Sequence, residues 1–194
     1  MSDTATGPRP SPGKEYALVP HPDFPSRAIT SITVSVERPD AAALTLRYCA
    51  TGLLANVLVP DEVAPGFQDG LWRHSCFEAF AGIEGAQSYT EFNFSPSGRY
   101  AAYDFDDYRD GMRAADAPTV SHISMMRWQK TLELTWLVQW DAFEQSDHWQ
   151  LALSAVIEET NGTKSFWALA HAPGPPDFHN RDCFIATLPA PTGA

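Results

Sequence analysis

The sequence predicts an all-β domain, built as a two-sheet sandwich or a closed barrel, and three observations point there. Short runs rich in Val, Ile, Thr, Phe, Tyr and Trp alternate apolar with polar residues. Turn formers divide these runs, as in Ser95-Pro96-Ser97-Gly98 and in Asn161-Gly162, a dipeptide suited to a type I′ hairpin because both central residues need positive φ. No segment of a dozen residues holds a 3.6-residue apolar period, and only Asp141 to Asp147 reads as a helical turn.

Taken in order, the chain opens with Pro8, Pro10, Pro12, Pro20, Pro22 and Pro25, and with Gly7 and Gly13 among them. Residues 1–27 therefore read as an irregular arm. Residues 28–188 form the expected β domain, with 189–194 as a tail. Alternation places strands at Ser31 to Glu37, Ala43 to Ala50, Leu53 to Val59, His74 to Gly82, Tyr89 to Phe94 and Tyr100 to Phe105. It continues with Thr119 to Trp128, Leu132 to Trp140, Gln150 to Glu158, Ser165 to His171 and Phe184 to Leu188. There is no internal repeat.

Composition excludes several functions. With 194 residues, 44% of them hydrophobic, the chain can bury one sizeable core. Its net charge of −11 argues against nucleic acid, which needs clustered Lys and Arg. No apolar run is long enough to span a membrane. The first twenty residues lack the apolar stretch of a secretory signal, so a cytoplasmic location is expected. Three scattered cysteines, Cys49, Cys76 and Cys183, fit neither a disulfide framework nor a zinc site.

Candidate chemistry sits in the middle third. Alternation puts His74, Cys76, Glu78 and Phe80 on one strand face, so Glu78 lies among apolar neighbours and requires a cationic or hydroxyl partner. An arginine inside the fold would satisfy it equally well. Tyr89, Glu91 and Asn93 share another face, where donors and acceptors together suit sugar hydroxyls, although an ordinary exposed sheet face has the same pattern. Of six tryptophans, Trp136 and Trp140 align with Leu132, Leu134 and Val138 as packing residues. Trp72 stands in the loop-like Gly70-Leu71-Trp72-Arg73, where an aromatic can be presented at a site, and Trp167 suits either role.

Catalytic readings have less behind them. Glu78, Glu91 and Glu158 are the residues that would supply a glycosidase's carboxylate pair, but no local signature accompanies them. GxSxG, HExxH and glycine-rich phosphate loops are absent. The stretch Asp104 to Asp110 lacks the glycine and terminal Glu of an EF-hand, leaving a looser calcium site or a solvated loop. His122 near Met125 and Met126, and His171 and His179 around a proline run, carry no haem-attachment motif.

The segments Leu71-Trp72-Arg73-His74-Ser75-Cys76-Phe77-Glu78-Ala79-Phe80, Glu91-Phe92-Asn93-Phe94-Ser95-Pro96-Ser97-Gly98-Arg99 and Ser165-Phe166-Trp167-Ala168 resemble the DOMON-like superfamily, and within it the family 9 carbohydrate-binding modules. The resemblance implies a two-sheet antiparallel β-sandwich of jelly-roll type with about ten strands. It implies a non-catalytic domain holding a small saccharide between two tryptophans, Trp72 and Trp167, while Glu78 and Arg99 bond its hydroxyls; Asn93, from the polar face of its strand, is expected to join them. The chain departs at Ser75, where family members usually carry an acidic residue. Other DOMON-like domains bind haem, so the alternatives are a haem-binding electron-transfer domain or a cytoplasmic protein-interaction domain without a small ligand.

Overall fold

The computed structural model describes residues 13–192, and these carry thirteen strands and four short 3₁₀ turns. Residues 1–12, the greater part of the expected arm with Pro8 to Pro12, lie outside the described residues, as do 193–194 of the expected tail. In chain order the strands are β1 (Lys14–Pro20), β2 (Ile29–Asp40), β3 (Ala43–Gly52), β4 (Gly66–Phe67), β5 (Cys76–Ile83), β6 (Tyr89–Phe94) and β7 (Arg99–Phe105). There follow β8 (Arg113–Ala114), β9 (Thr119–Arg127), β10 (Thr131–Gln139), β11 (Trp149–Glu158), β12 (Lys164–Ala168) and β13 (Ala186–Thr187). The all-β expectation is met. No helix among the described residues is long and apolar enough to cross a membrane.

The strands form one hydrogen-bonded path, β4-β7-β6-β5-β11-β12-β1-β2-β3-β10-β9, with β13 on β11 and β8 on β7. Only β4 on β7 is parallel, which makes the sheet mixed. The path curls so that its two arms share a core. From β2, β3 and β10, alternate residues such as Val34, Leu46, Tyr48, Leu134 and Trp136 point inward. Phe77, Phe92, Phe94, Leu153 and Ala155 of β5, β6 and β11 meet them. Phe94 stacks on Trp136 with ring centroids 5.1 Å apart, and the Tyr48 hydroxyl crosses the core to donate to the Glu78 carbonyl at 2.7 Å. Each fully buried large apolar side chain contributes about 1.5–3 kcal/mol here.

Two expectations need correction. Residues 13–27 are not simply irregular: β1 joins the two arms, pairing Lys14 to Leu18 with β2 and Val19 and Pro20 with β12. Pro20 is tolerated because it stands at the strand's last position. Leu53 to Val59 is not a strand. Leu54 and Val57 are buried three residues apart, the spacing of the 3₁₀ turn Leu54–Asn56 rather than of a pleat. The segment entering β2 is pinned by Glu159, whose Oε1 accepts from the backbone amides of Arg27 at 2.8 Å and Ala28 at 3.0 Å and from Ser26 Oγ at 3.2 Å.

One departure from simple alternation positions the site. Unlike β2 and β10, strands β5, β6 and β11 are buried along nearly every residue. One face lines the core just described. The other carries a second apolar cluster around Phe80, Tyr89, Tyr103, Phe105 and Phe184, and is covered by loops rather than by strands.

Candidate ligand-binding site

On that second face the register aligns Asn93 with Glu78 and Glu78 with Ser154 across β6, β5 and β11. Glu91 lies one pleat away, opposite Phe80. Glu78 and Glu91 floor a cavity of about 320 Å³, together with Val156 and the rings of Phe105 and Phe166. Trp72 forms a wall, and Arg109, Met112, Pro176, Phe178 and His179 approach from two loops.

Local chemistry fixes each wall. Trp72 rides on the 3₁₀ turn Leu71–Arg73, entered through Gly70 at φ 75°, a conformation that favours glycine. Its indole packs edge-on against Tyr103 with centroids 5.7 Å apart, and the Tyr103 hydroxyl donates to Asp69 two residues before the turn begins. Arg109 holds φ 53° in the tight Asp107-to-Asp110 turn, an unusual state for a non-glycine residue, while its amide donates to Tyr89 Oη at 3.2 Å. Asp177 joins the two loops over the cavity: its Oδ1 accepts from Arg109 Nη2 at 2.9 Å and its Oδ2 from the Tyr108 hydroxyl at 2.8 Å.

The electrostatics of the floor follow from burial. Glu78 is 2% exposed, and desolvation pushes its carboxyl well above the ordinary carboxylate range. The charge of Glu91 adds to this rise, while Ser154, donating to Oε2 at 3.1 Å, and the Arg109 charge oppose it. Glu91 is 5% exposed, and burial raises it to about 7 against the Asn93 Nδ2 hydrogen bond of 2.6 Å and the Arg109 charge. His179 moves the other way, to about 4, because burial and then Arg109 disfavour its protonated form more than Asp177 favours it. The 3.7 Å approach of His179 Nε2 to Glu91 Oε2 thus involves a neutral imidazole at neutral pH and is not an ion pair. Its other nitrogen, Nδ1, lies 2.8 Å from the Tyr89 hydroxyl.

Of the residues singled out in the sequence, Trp72 and Glu78 meet at the cavity. Asn93 is wholly buried beneath it, donating to Glu91 and accepting from the Cys76 thiol, so it positions a carboxyl rather than lining the space. Arg99 is on the same sheet face but outside the lining; its guanidinium lies over β4, 2.7 Å from where a side chain on Gly66 would begin. Trp167 is corrected to the core. It is 3% exposed, pairs with Ala155 on the inward face, and bonds Ser165 Oγ through Nε1 at 3.0 Å. Its neighbour Phe166 faces the cavity instead, because a one-residue step along a strand reverses the face.

Glu91, Arg109, Phe166, Phe178 and His179 are among the lining residues that the sequence left unassigned or undecided. Glu91 had a signal, two positions before Asn93 on the same face. Arg109 had a fainter one, as the cation within Asp104 to Asp110. That acidic stretch is partly neutralised by Arg113, whose Nη1 donates to Asp106 at 2.7 Å, and the described residues contain no group of three or more His, Cys, Asp or Glu placed to hold a metal ion.

No protein-family model matches the chain, and no curated protein matches it. A crystal structure from Bacteroides uniformis ATCC 8492, of a protein proposed to bind carbohydrate, is similar to it with a TM-score of 0.57, covering 88% of this chain and 84% of that one. At 17% identity the likeness concerns the fold alone.

Proposed function

We propose that the chain is a non-catalytic carbohydrate-binding domain whose cavity takes a small saccharide, with Trp72 against an apolar sugar face and Glu78 and Glu91 bonding hydroxyls. The observation that carries this reading is the meeting of aromatic rings and buried carboxyls around about 320 Å³, within the usual size range of small-molecule sites of about 300–1,000 Å³. Sugars present both C–H faces and hydroxyls, and this lining complements both. The structural neighbour proposed to bind carbohydrate adds support. The curled sheet is read as a DOMON-like, jelly-roll-type sandwich whose two layers meet at β1. Phe166 takes the place expected of Trp167 as a second ring. Arg109 stands where a guanidinium was expected from Arg99.

Calorimetric titration of mono- and disaccharides tests the reading. Trp72→Ala is expected to weaken any binding at least tenfold while costing about 1 kcal/mol of stability, since Trp72 is only half-buried. Trp167→Ala is expected to cost about 3–5 kcal/mol of stability as a core deletion. A panel in which no saccharide binds, or a Trp72→Ala protein that binds like its parent, removes the proposal.

A second reading, haem binding, rests on Met112 and His179 both lining the cavity, since these side-chain types ligate haem iron. His179 would first have to leave its contacts with Tyr89 and Glu91, so the saccharide reading is better supported. A protein that develops no Soret absorbance after haem addition excludes it.

A further inference from the structure

The cavity holds two carboxyls and no cation committed to either. Glu78 Oε2 takes the Ser154 hydrogen bond, and its Oε1 has no hydrogen-bond partner among the described residues although the residue is nearly all buried and lines the cavity. Glu91 Oε1 takes the Asn93 amide, while Oε2 meets only His179 at 3.7 Å, beyond hydrogen-bond range. Arg109, the one arginine in the lining, is committed to Asp177. Arg99 lies outside. Buried carboxylates ordinarily keep a cation, because leaving one without a partner is costly.

The walls favour the same kind of guest. Trp72, Phe105, Phe166 and Phe178 present ring surfaces, whose negative faces attract an ammonium group, and Met112 adds a polarizable sulfur. The net charge of −11 draws cations toward the protein as a whole. Two independent features, carboxyl oxygens open to the cavity without a hydrogen-bond partner among the described residues and an aromatic lining, therefore converge on one ligand charge.

We infer that the cavity selects a small ligand carrying a protonated primary amine, which for a saccharide means an amino sugar with its nitrogen unacetylated. The saccharide part of this inference rests on the proposed function; the amine part rests on the lining. The ammonium replaces the missing partner of Glu78 and Glu91. Without it, burial favours the protonated form of both carboxyls. Binding then converts a carboxylic acid to a carboxylate beside the ammonium and releases the proton to solvent. The ionisable groups around the pair are Tyr48 on β3, Tyr89 on β6, Tyr103 on β7 with Asp69 behind it, Cys76 on β5, and Arg109, Asp177 and His179 in the loops.

The test is calorimetry at pH 7 in two buffers of different ionisation enthalpy. The probes are the 2-amino-2-deoxy, N-acetylated and parent forms of glucose, galactose and mannose, with ethanolamine as a non-sugar primary amine. One amino sugar is expected to bind at least about tenfold tighter than both its neutral counterparts, with net proton release. Glu91→Gln and Glu78→Gln are expected to shrink that preference to about threefold or less; if either fails to fold, the matched sugars on the parent protein still decide. Neutral sugars binding as tightly as amino sugars would overturn the amine inference and leave the saccharide reading standing. Ethanolamine binding with no sugar bound would overturn the saccharide reading and uphold selection of a primary amine. Silence from every probe removes both.

Discussion

Glu91 titrates near 7 because its burial outweighs the Asn93 hydrogen bond and the Arg109 charge. In the unfolded chain a glutamate titrates near about 4.3, so across the window up to about 7 the native state holds the proton longer. Stability contributed by this group is present below the window and falls as pH rises through it. His179 has the opposite sign. Its folded value of about 4 lies below the ordinary imidazole value of about 6.5, so its contribution falls as pH drops through that interval. In the parent the two slopes oppose one another over much of the weakly acidic range. Glu91→Gln removes one of the slopes that oppose His179, the raised Glu78 being another, and relative to the parent it is expected to gain about 2 kcal/mol on going from pH 5 to pH 8, measured by urea denaturation at both values. At this scale the sequence was partly legible. Strand parity grouped Glu78 with Cys76 and Phe80, and Glu91 with Asn93, each within its own strand, but parity alone does not say which face of an isolated strand looks inward. That is why Trp167 could be read as a site residue, while Phe166, which was given no role, is the one that lines the cavity.

The strand β1 shows the same limit for whole elements. Its burial is confined to Leu18, while Tyr16 only partly packs on the core, so alternation was too faint to stand out beside Gly13, Pro20, Pro22 and Pro25. What holds it is the backbone ladder to β2 and β12, and main-chain hydrogen bonds leave little trace in side-chain pattern. The long strands β2, β3, β10 and β11 bury many side chains in the core and were readable for that reason. Leu18→Ala tests how far β1 contributes to the fold. A loss of about 2–4 kcal/mol is expected by thermal or chemical unfolding, with a cooperative transition retained. A change below about 0.5 kcal/mol would mean that the strand is peripheral.

For the molecule as a whole, the cavity depends on loops far apart in sequence. Asp177 links the loop after β7 to the loop after β12 through Tyr108 and Arg109. Burial raises its carboxyl, but Arg109, Tyr108 and the His179 amide together hold it below the ordinary aspartate value. The contribution of this link is therefore full above the unfolded-state value and is lost only as pH falls through the depressed one. Asp177→Ala is expected to weaken ligand binding about tenfold, mainly through faster dissociation, because the roof is no longer held in place before the ligand arrives. Stopped-flow or surface-based kinetics would show this, and an unchanged dissociation rate would show that the roof is ordered without the link.

The position of β1 between the arms also governs how the chain is completed. It pairs readily with β2, its neighbour in sequence, but its far end waits for β12, near the other end of the chain. At a synthesis rate of roughly 5–20 residues per second, that end stays without its partner for on the order of ten seconds on the ribosome. During this interval Val19 and Pro20 form an open strand edge, where proline denies neighbouring chains a backbone donor. The proline at the strand's last position thus guards an unfinished sheet against pairing with the wrong molecule.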